Sequence, residues 1–200
     1  MAESVLQYLT QNWVELISAV LGLVYVLLNI KEIPWAWPVG IASVALAVIV
    51  SWDATLYWDM VLNVIYVVLS FYGWYQWLHG GRKNSELRVS RIQTRPLLFW
   101  LTLASLLTVL LGWLSDQYTD SDIPYWDAAT TTFSLVATYF LARKYLQNWI
   151  MWILIDAVYV GVYYYKGLYA YMVLFGLYVV LAWVGWKEWK KSLPQNEAFV

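Results

Sequence analysis

LYWDMVLNVIYVVLSFYGWYQW, Leu56 to Trp77, returns 112 residues later as LYAYMVLFGLYVVLAWVGWKEW, Leu168 to Trp189. Twelve of the 22 positions are identical: Leu56, Tyr57, Met60, Val61, Leu62, Tyr66, Val67, Val68, Leu69, Gly73, Trp74 and Trp77. The same ungapped offset pairs Trp37 with Trp149, Leu23 with Leu135, Lys31 with Arg143 and the acidic Glu15 with the acidic Asp127. Two unrelated apolar segments would share composition but not register. The chain therefore carries two copies of one unit.

Outward from this pair, apolar stretches long enough to cross a hydrocarbon core of about 30 Å with some tilt recur seven times. They fall near 12-30, 36-51, 54-77, 97-114, 126-142, 147-165 and 168-189. Spans 1 to 3 repeat as spans 5 to 7, with span 4 as connector. Four spans separate the starts of the two units, so both enter the membrane from the same face and are parallel. The expected fold is an all-α membrane protein of seven transmembrane helices, two parallel three-helix repeats joined by a connector helix. This 3+1+3 plan resembles the SWEET class, in which repeats are related by an axis along the membrane normal and the substrate lies near the midplane between them. The expected divisions are 1-78 for the first repeat, 79-124 for a cytoplasmic loop, the connector helix and an outer loop, 125-191 for the second repeat, and 192-200 for a cytoplasmic tail.

Composition agrees. A chain that is 62% hydrophobic and only 12% charged cannot cover a soluble domain, whose residues are about 25% charged. It has no cysteine, hence no disulfide frame or thiolate site, and its one histidine, His79, stands beside Gly80 and Gly81 in a polar stretch. No cofactor or metal is expected. The first residues lack the basic region and cleavage site of a signal peptide, so the chain is expected to be used whole. Of twelve basic residues, all but Lys166 fall on one side of the seven-span arrangement. The positive-inside rule then puts the N-terminus outside and the C-terminus in the cytoplasm. Sidedness also accounts for the basic residues without nucleic acid.

Within the spans, polar residues recur at helical spacing. Asn148, Trp152, Asp156, Tyr159 and Tyr163 lie 4, 4, 3 and 4 apart in QNWIMWILIDAVYVGVY, and Asn63, Tyr66 and Ser70 follow one line of span 3. A carboxylate at bilayer depth costs about 2.5–3.5 kcal/mol on insertion scales, so Asp156 calls for a polar cavity or a partner. Aromatic faces and an acid suit a flat cation, and an amide can orient it. These eight residues are the expected substrate contacts, with span 6 opposite span 3. Glu15, Asp59 and Asp127 lie nearer the span ends and read as gate or helix-end acids. Ser18, Gly22, Ser134 and Thr138 read as packing positions that let helices approach closely.

The stretches YGWYQW (Tyr72 to Trp77), YWDAATTTFSLVATYFLARKYLQNWIMWILID (Tyr125 to Asp156) and YKGLYAYMVLFGLYVVLAWVGW (Tyr165 to Trp186) resemble the Pnu family of bacterial vitamin transporters. The resemblance covers nearly the whole chain. It implies a homotrimer in the bacterial cytoplasmic membrane and facilitated uptake of an unphosphorylated vitamin, which a cytoplasmic kinase then traps. Asn63 stands where the riboside branch has Gln, Ser70 stands where an amide is common, and DMVLNVIY is similar to the thiamine branch. Thiamine is thus the expected substrate, with nicotinamide riboside as the alternative. A more remote alternative is an intramembrane aspartyl enzyme using two of Asp59, Asp127 and Asp156, but such enzymes carry a GxGD motif that the chain lacks. The expectation is a transporter without enzymatic activity. The chain also lacks the GxxxxGK[ST] phosphate loop of a primary pump.

Overall fold

Among the described residues seven α-helices form: α1 (Trp13–Ile30), α2 (Ala36–Asp53), α3 (Tyr57–His79), α4 (Thr94–Tyr118), α5 (Pro124–Ala142), α6 (Gln147–Tyr165) and α7 (Tyr169–Lys191). This computed structural model describes residues 13–53 and 57–194. Among them there is no β-strand, only an isolated parallel bridge between Ser90 and Tyr145. Each helix falls on one of the seven expected spans; position 12 and positions 54–56 lie outside the described residues. The chain divides into two compact units, Met1–Glu86 and Leu87–Val200. In the first, α2 packs against α1 and α3; in the second, α4, α5, α6 and α7 pack in sequence.

The two units are closed by the same joint. Trp37 meets Trp77 edge-on at 5.6 Å and 88°, and their counterparts at the repeat offset, Trp149 and Trp189, meet at 5.4 Å and 89°. All four indoles are at most 3% exposed. Each joint needs a glycine. A Cβ on Gly185 would come within 2.7 Å of the Trp149 ring, and one on Gly73 would press on Trp37. An edge-on aromatic pair contributes about 0.5–1.5 kcal/mol beyond its area.

The turn before each joint also repeats. Glu32 and Lys144, again 112 apart, both take positive φ, 56° and 50°. After α1 the Ile33 N–H donates to the Leu28 carbonyl at 3.0 Å; after α5 the Tyr145 N–H donates to the Phe140 carbonyl at 2.9 Å. This is the Schellman closure, which satisfies carbonyls left free at a helix end and favours a left-handed residue at its centre. α6 ends the same way with a glycine, Gly167 at φ 70°. There the Leu168 N–H reaches the Tyr163 carbonyl at 2.8 Å.

One interaction was not expected. In the polar stretch between α3 and α4, Val89 and Ile92 are buried. The Ser90 N–H donates to the Lys144 carbonyl at 3.0 Å, and the Leu146 N–H donates back to Ser90 at 2.9 Å. The Gln147 side chain accepts from the Ile92 N–H at 3.2 Å and donates to the Ile92 carbonyl at 3.3 Å. Residues 89–92 thus form a strap across the α5–α6 corner, fixing the start of α6. The connector α4 is tied to α5 by a Thr108–Thr132 hydroxyl pair at 2.7 Å and by the Tyr125 ring lying on Gly112.

Exposed apolar side chains line the outer faces of α4 and α7: Phe99, Leu106 and Val109, and Val173, Leu177 and Val180. Among the described residues, the segments that pass as plain apolar spans by length and hydropathy are Thr94–Tyr118 and Tyr171–Lys191. Val20–Ile30 and Ala36–Leu46 are shorter apolar stretches, whereas α6 carries Asn148 and Asp156 and α5 carries Thr130, Thr132, Ser134 and Thr138 in their interiors. Near the end of α7, Lys187 and Lys190 sit over the rings of Trp183 and Trp186 at 5.3 and 4.9 Å. Indole with lysine is the pairing that anchors a helix end at a membrane interface.

Candidate functional site

Five polar or aromatic side chains follow one another down α6 because their spacing keeps them on one stripe. At its start Asn148 is fully buried and its amide donates to the Tyr145 carbonyl at 2.7 Å, so it secures the α5–α6 corner. One turn on, Trp152 is half-buried against the apolar cluster of Ala137, Phe140, Met151 and Ile155. The repeat exchanges sizes here. In the first unit the Tyr25 ring lies on Gly40; the counterpart residues in the second are Ala137 and Trp152.

Asp156 follows, 5% exposed, and among the described residues it makes no hydrogen bond and no ion pair. Buried carboxylates are ordinarily paired or hydrogen-bonded. Its first-repeat counterpart is Val44, so packing of the hairpin does not require an acid at this position.

Beyond Asp156 the stripe becomes aromatic and is joined by α7. Tyr159 and Tyr163 stack at 5.8 Å and 19°, and Phe175 contacts both, at 4.6 and 5.2 Å. Tyr171 stacks on Tyr163 at 5.3 Å, and Tyr178 meets Phe175 edge-on at 5.6 Å. Tyr159 and Tyr178 both lie within electrostatic range of Asp156, and the Tyr159 hydroxyl lies within hydrogen-bonding reach of Thr130 on α5. The chemical result is a buried, unpaired acid with π faces beside it. Tyr171, Phe175 and Tyr178 were not among the expected contacts. The repeat held the signal for Tyr178, which is the identical counterpart of Tyr66.

In the first unit, Asn63 and Tyr66 on α3 are half-buried and Ser70 is buried. Tyr66 lies near Tyr25, whose backbone carbonyl accepts a hydrogen bond from the Asn29 amide at 2.9 Å, Asn29 being only 1% exposed. The side chains of Glu15 and Asp59 lie outside the described residues. Asp127 is exposed in the first turn of α5 and accepts a hydrogen bond from Ser121 at 2.8 Å. A carboxylate at a helix N-terminus is favoured there by the helix dipole.

Two hollows open on the other side of α6. One of about 400 Å³ is lined by Ile123, Trp126, Ala157, Val158, Gly161, Val162 and Tyr165; another of about 260 Å³ includes Leu101, Phe133 and Leu154. Neither includes Asp156 or any other charged side chain. Their apolar walls, with Leu154 and Tyr165 exposed, suit lipid contact rather than selective binding of a polar solute. Among the described residues no group of three or more His, Cys, Asp or Glu could hold a metal.

The family profile described as nicotinamide mononucleotide transporter matches residues 12–191. The chain belongs to this family. It is thus a Pnu-type vitamin transporter, a multi-pass protein of the inner membrane. Among curated relatives, the nicotinamide riboside transporter PnuC of Escherichia coli (strain K12) is 24% identical over 92% of this chain and 88% of its own length. The riboflavin/roseoflavin transporter RibM of Streptomyces davaonensis is 27% identical over 88% of this chain and 84% of its own. The crystal structure of the vitamin B3 transporter PnuC superposes with a TM-score of 0.72 at 21% identity, covering 94% of this chain and 85% of that one. That likeness establishes the fold. A transporter family accords with the expectation that the chain is not an enzyme.

Proposed function

We propose that this transporter carries a flat, cationic vitamin of the nicotinamide riboside type into the cell by facilitated diffusion, with phosphorylation in the cytoplasm trapping it. The observation that carries this is Asp156, buried beside an aromatic cluster and, among the described residues, without a counter-charge. A flat cation supplies the missing charge and stacks on the rings, each cation–π contact contributing roughly 0.5–2 kcal/mol. Thiamine, the expected substrate, has no support among the relatives, whereas nicotinamide riboside is named by three of them. The expectation of thiamine rested on the short side chains of Asn63 and Ser70. The shorter amide at Asn63 and the small hydroxyl at Ser70 leave room for water to bridge to a ribose hydroxyl.

Asn148, Trp152, Asp156, Tyr159 and Tyr163 on α6, and Asn63, Tyr66 and Ser70 on α3, are the proposed substrate contacts, Asn148 also holding the α6 corner in place. Glu15, Asp59 and Asp127 are proposed helix-end or gate acids. The repeats are proposed to run parallel in a SWEET-like 3+1+3 plan, N-terminus outside and C-terminus inside, in a homotrimer. The twin tryptophan joints and the division of basic residues support the plan and the topology. Uptake into kinase-free liposomes tests the function. Nicotinamide riboside should enter saturably and equilibrate without accumulating; preference for thiamine or riboflavin in competition, or accumulation driven by a proton or sodium gradient, would overturn it.

A further inference from the structure

We propose that the rings between the α6–α7 turn and Asp156 form a cation-conducting lane, a series of π faces that passes a flat cation down to the acid. This rests on the substrate class proposed above and adds residues to its route. The lane begins with Tyr171 stacked on Tyr163 at 5.3 Å, just inside the turn. It continues through Phe175, 5.2 Å from Tyr163 and 4.6 Å from Tyr159, and ends where Tyr159 and Tyr178 come within range of Asp156. Ten residues separate Lys166 from Asp156, about 15 Å of helix at 1.5 Å per residue. Successive centroids under 6 Å apart leave no gap wider than a single ring, so a cation leaving one face is already near the next.

Helix packing does not explain these rings. At the repeat offset, Tyr159, Tyr163, Tyr171 and Phe175 correspond to Ala47, Ser51, Asp59 and Asn63, so the sequence of the first repeat has small or polar residues at the same positions. The faces of α7 are sorted as well. Val173, Leu177 and Val180 are exposed on one side, while Tyr171, Phe175 and Tyr178 make their ring contacts on another. Tyr159, Tyr163, Phe175 and Tyr178 are only half-buried, which leaves π surface open to a solute.

The test compares nicotinamide riboside with its reduced form, which is nearly the same shape but uncharged. Binding to the purified full-length protein and uptake into liposomes are measured for the parent, Tyr171→Leu, Phe175→Leu and Phe175→Tyr. The two leucine variants should weaken the cation roughly two- to thirtyfold. They should leave the neutral form within about twofold, and Phe175→Tyr, which keeps the ring, should retain the preference for the cation. Equal losses for both forms would make the rings packing and overturn the lane, as would leucine variants that handle the cation like the parent. If the parent binds the cation with this charge-selective pattern but does not transport the riboside, the proposed substrate fails and the lane stands. If the parent binds neither form, both fall.

Discussion

Asp156→Asn should pull affinity and stability in opposite directions. The side chain is 5% exposed and has no partner among the described residues, so the apoprotein bears the cost of its burial with nothing in return. Replacing it with a neutral isostere removes that cost, and the melting temperature in detergent should hold or rise. Bound substrate reverses the balance. A unit charge 4 Å from the carboxylate interacts by about 4 kcal/mol at an effective dielectric of 20. Truncating one partner of such a buried pair costs about 2–5 kcal/mol. At about 1.4 kcal/mol per decade, nicotinamide riboside should bind roughly thirtyfold to a few thousandfold more weakly. Titration calorimetry on purified protein reads the affinity, and a thermal melt of the same samples reads the stability. A variant that binds within about threefold of the parent would refute a counter-charge role for Asp156, and one that melts well below the parent would show that the acid supports the fold instead.

Gly185→Ala would drive a Cβ to 2.7 Å from the Trp149 ring, so thermal melts should show a loss of about 1–3 kcal/mol typical of overpacking. Gly73→Ala should cost a similar amount against Trp37, and the double variant should show the sum, since the two joints share no partner. Glu32→Gly should be neutral or stabilising by about 1 kcal/mol in the same melts, because it relieves a left-handed conformation at φ 56° that glycine adopts freely. The chain has no cysteine, so single-cysteine labelling needs no prior removal. Lys166→Cys should react with an impermeant maleimide from outside and Ser85→Cys only after permeabilisation; the reverse pattern would invert the proposed topology.

All seven helices were legible because spans of apolar residues must close their own backbone hydrogen bonds. The 112-residue repeat was legible because both copies keep the same tryptophans and glycines for the same joint. Asp156 stood out by its cost. Other features were hidden for physical reasons. Asn148 lies on the α6 stripe, yet its amide secures a turn, which spacing alone does not distinguish from a wall of a cavity. Tyr171, Phe175 and Tyr178 form no polar stripe along α7, and these rings matter through contacts with one another and with α6. The strap at 89–92 has no periodicity to detect; it is ordered by Gln147, 55 positions away from Ile92.

The twin joints let the two copies differ elsewhere. Two identical copies would bury an acid such as Asp156 twice and bear the cost of its burial twice. Fused in one chain, the copies keep the same hinge-pin of indole on glycine while Val44 stands in one where Asp156 stands in the other. Two copies within one chain can thus keep one joint in common while a single buried charge is held by one copy alone.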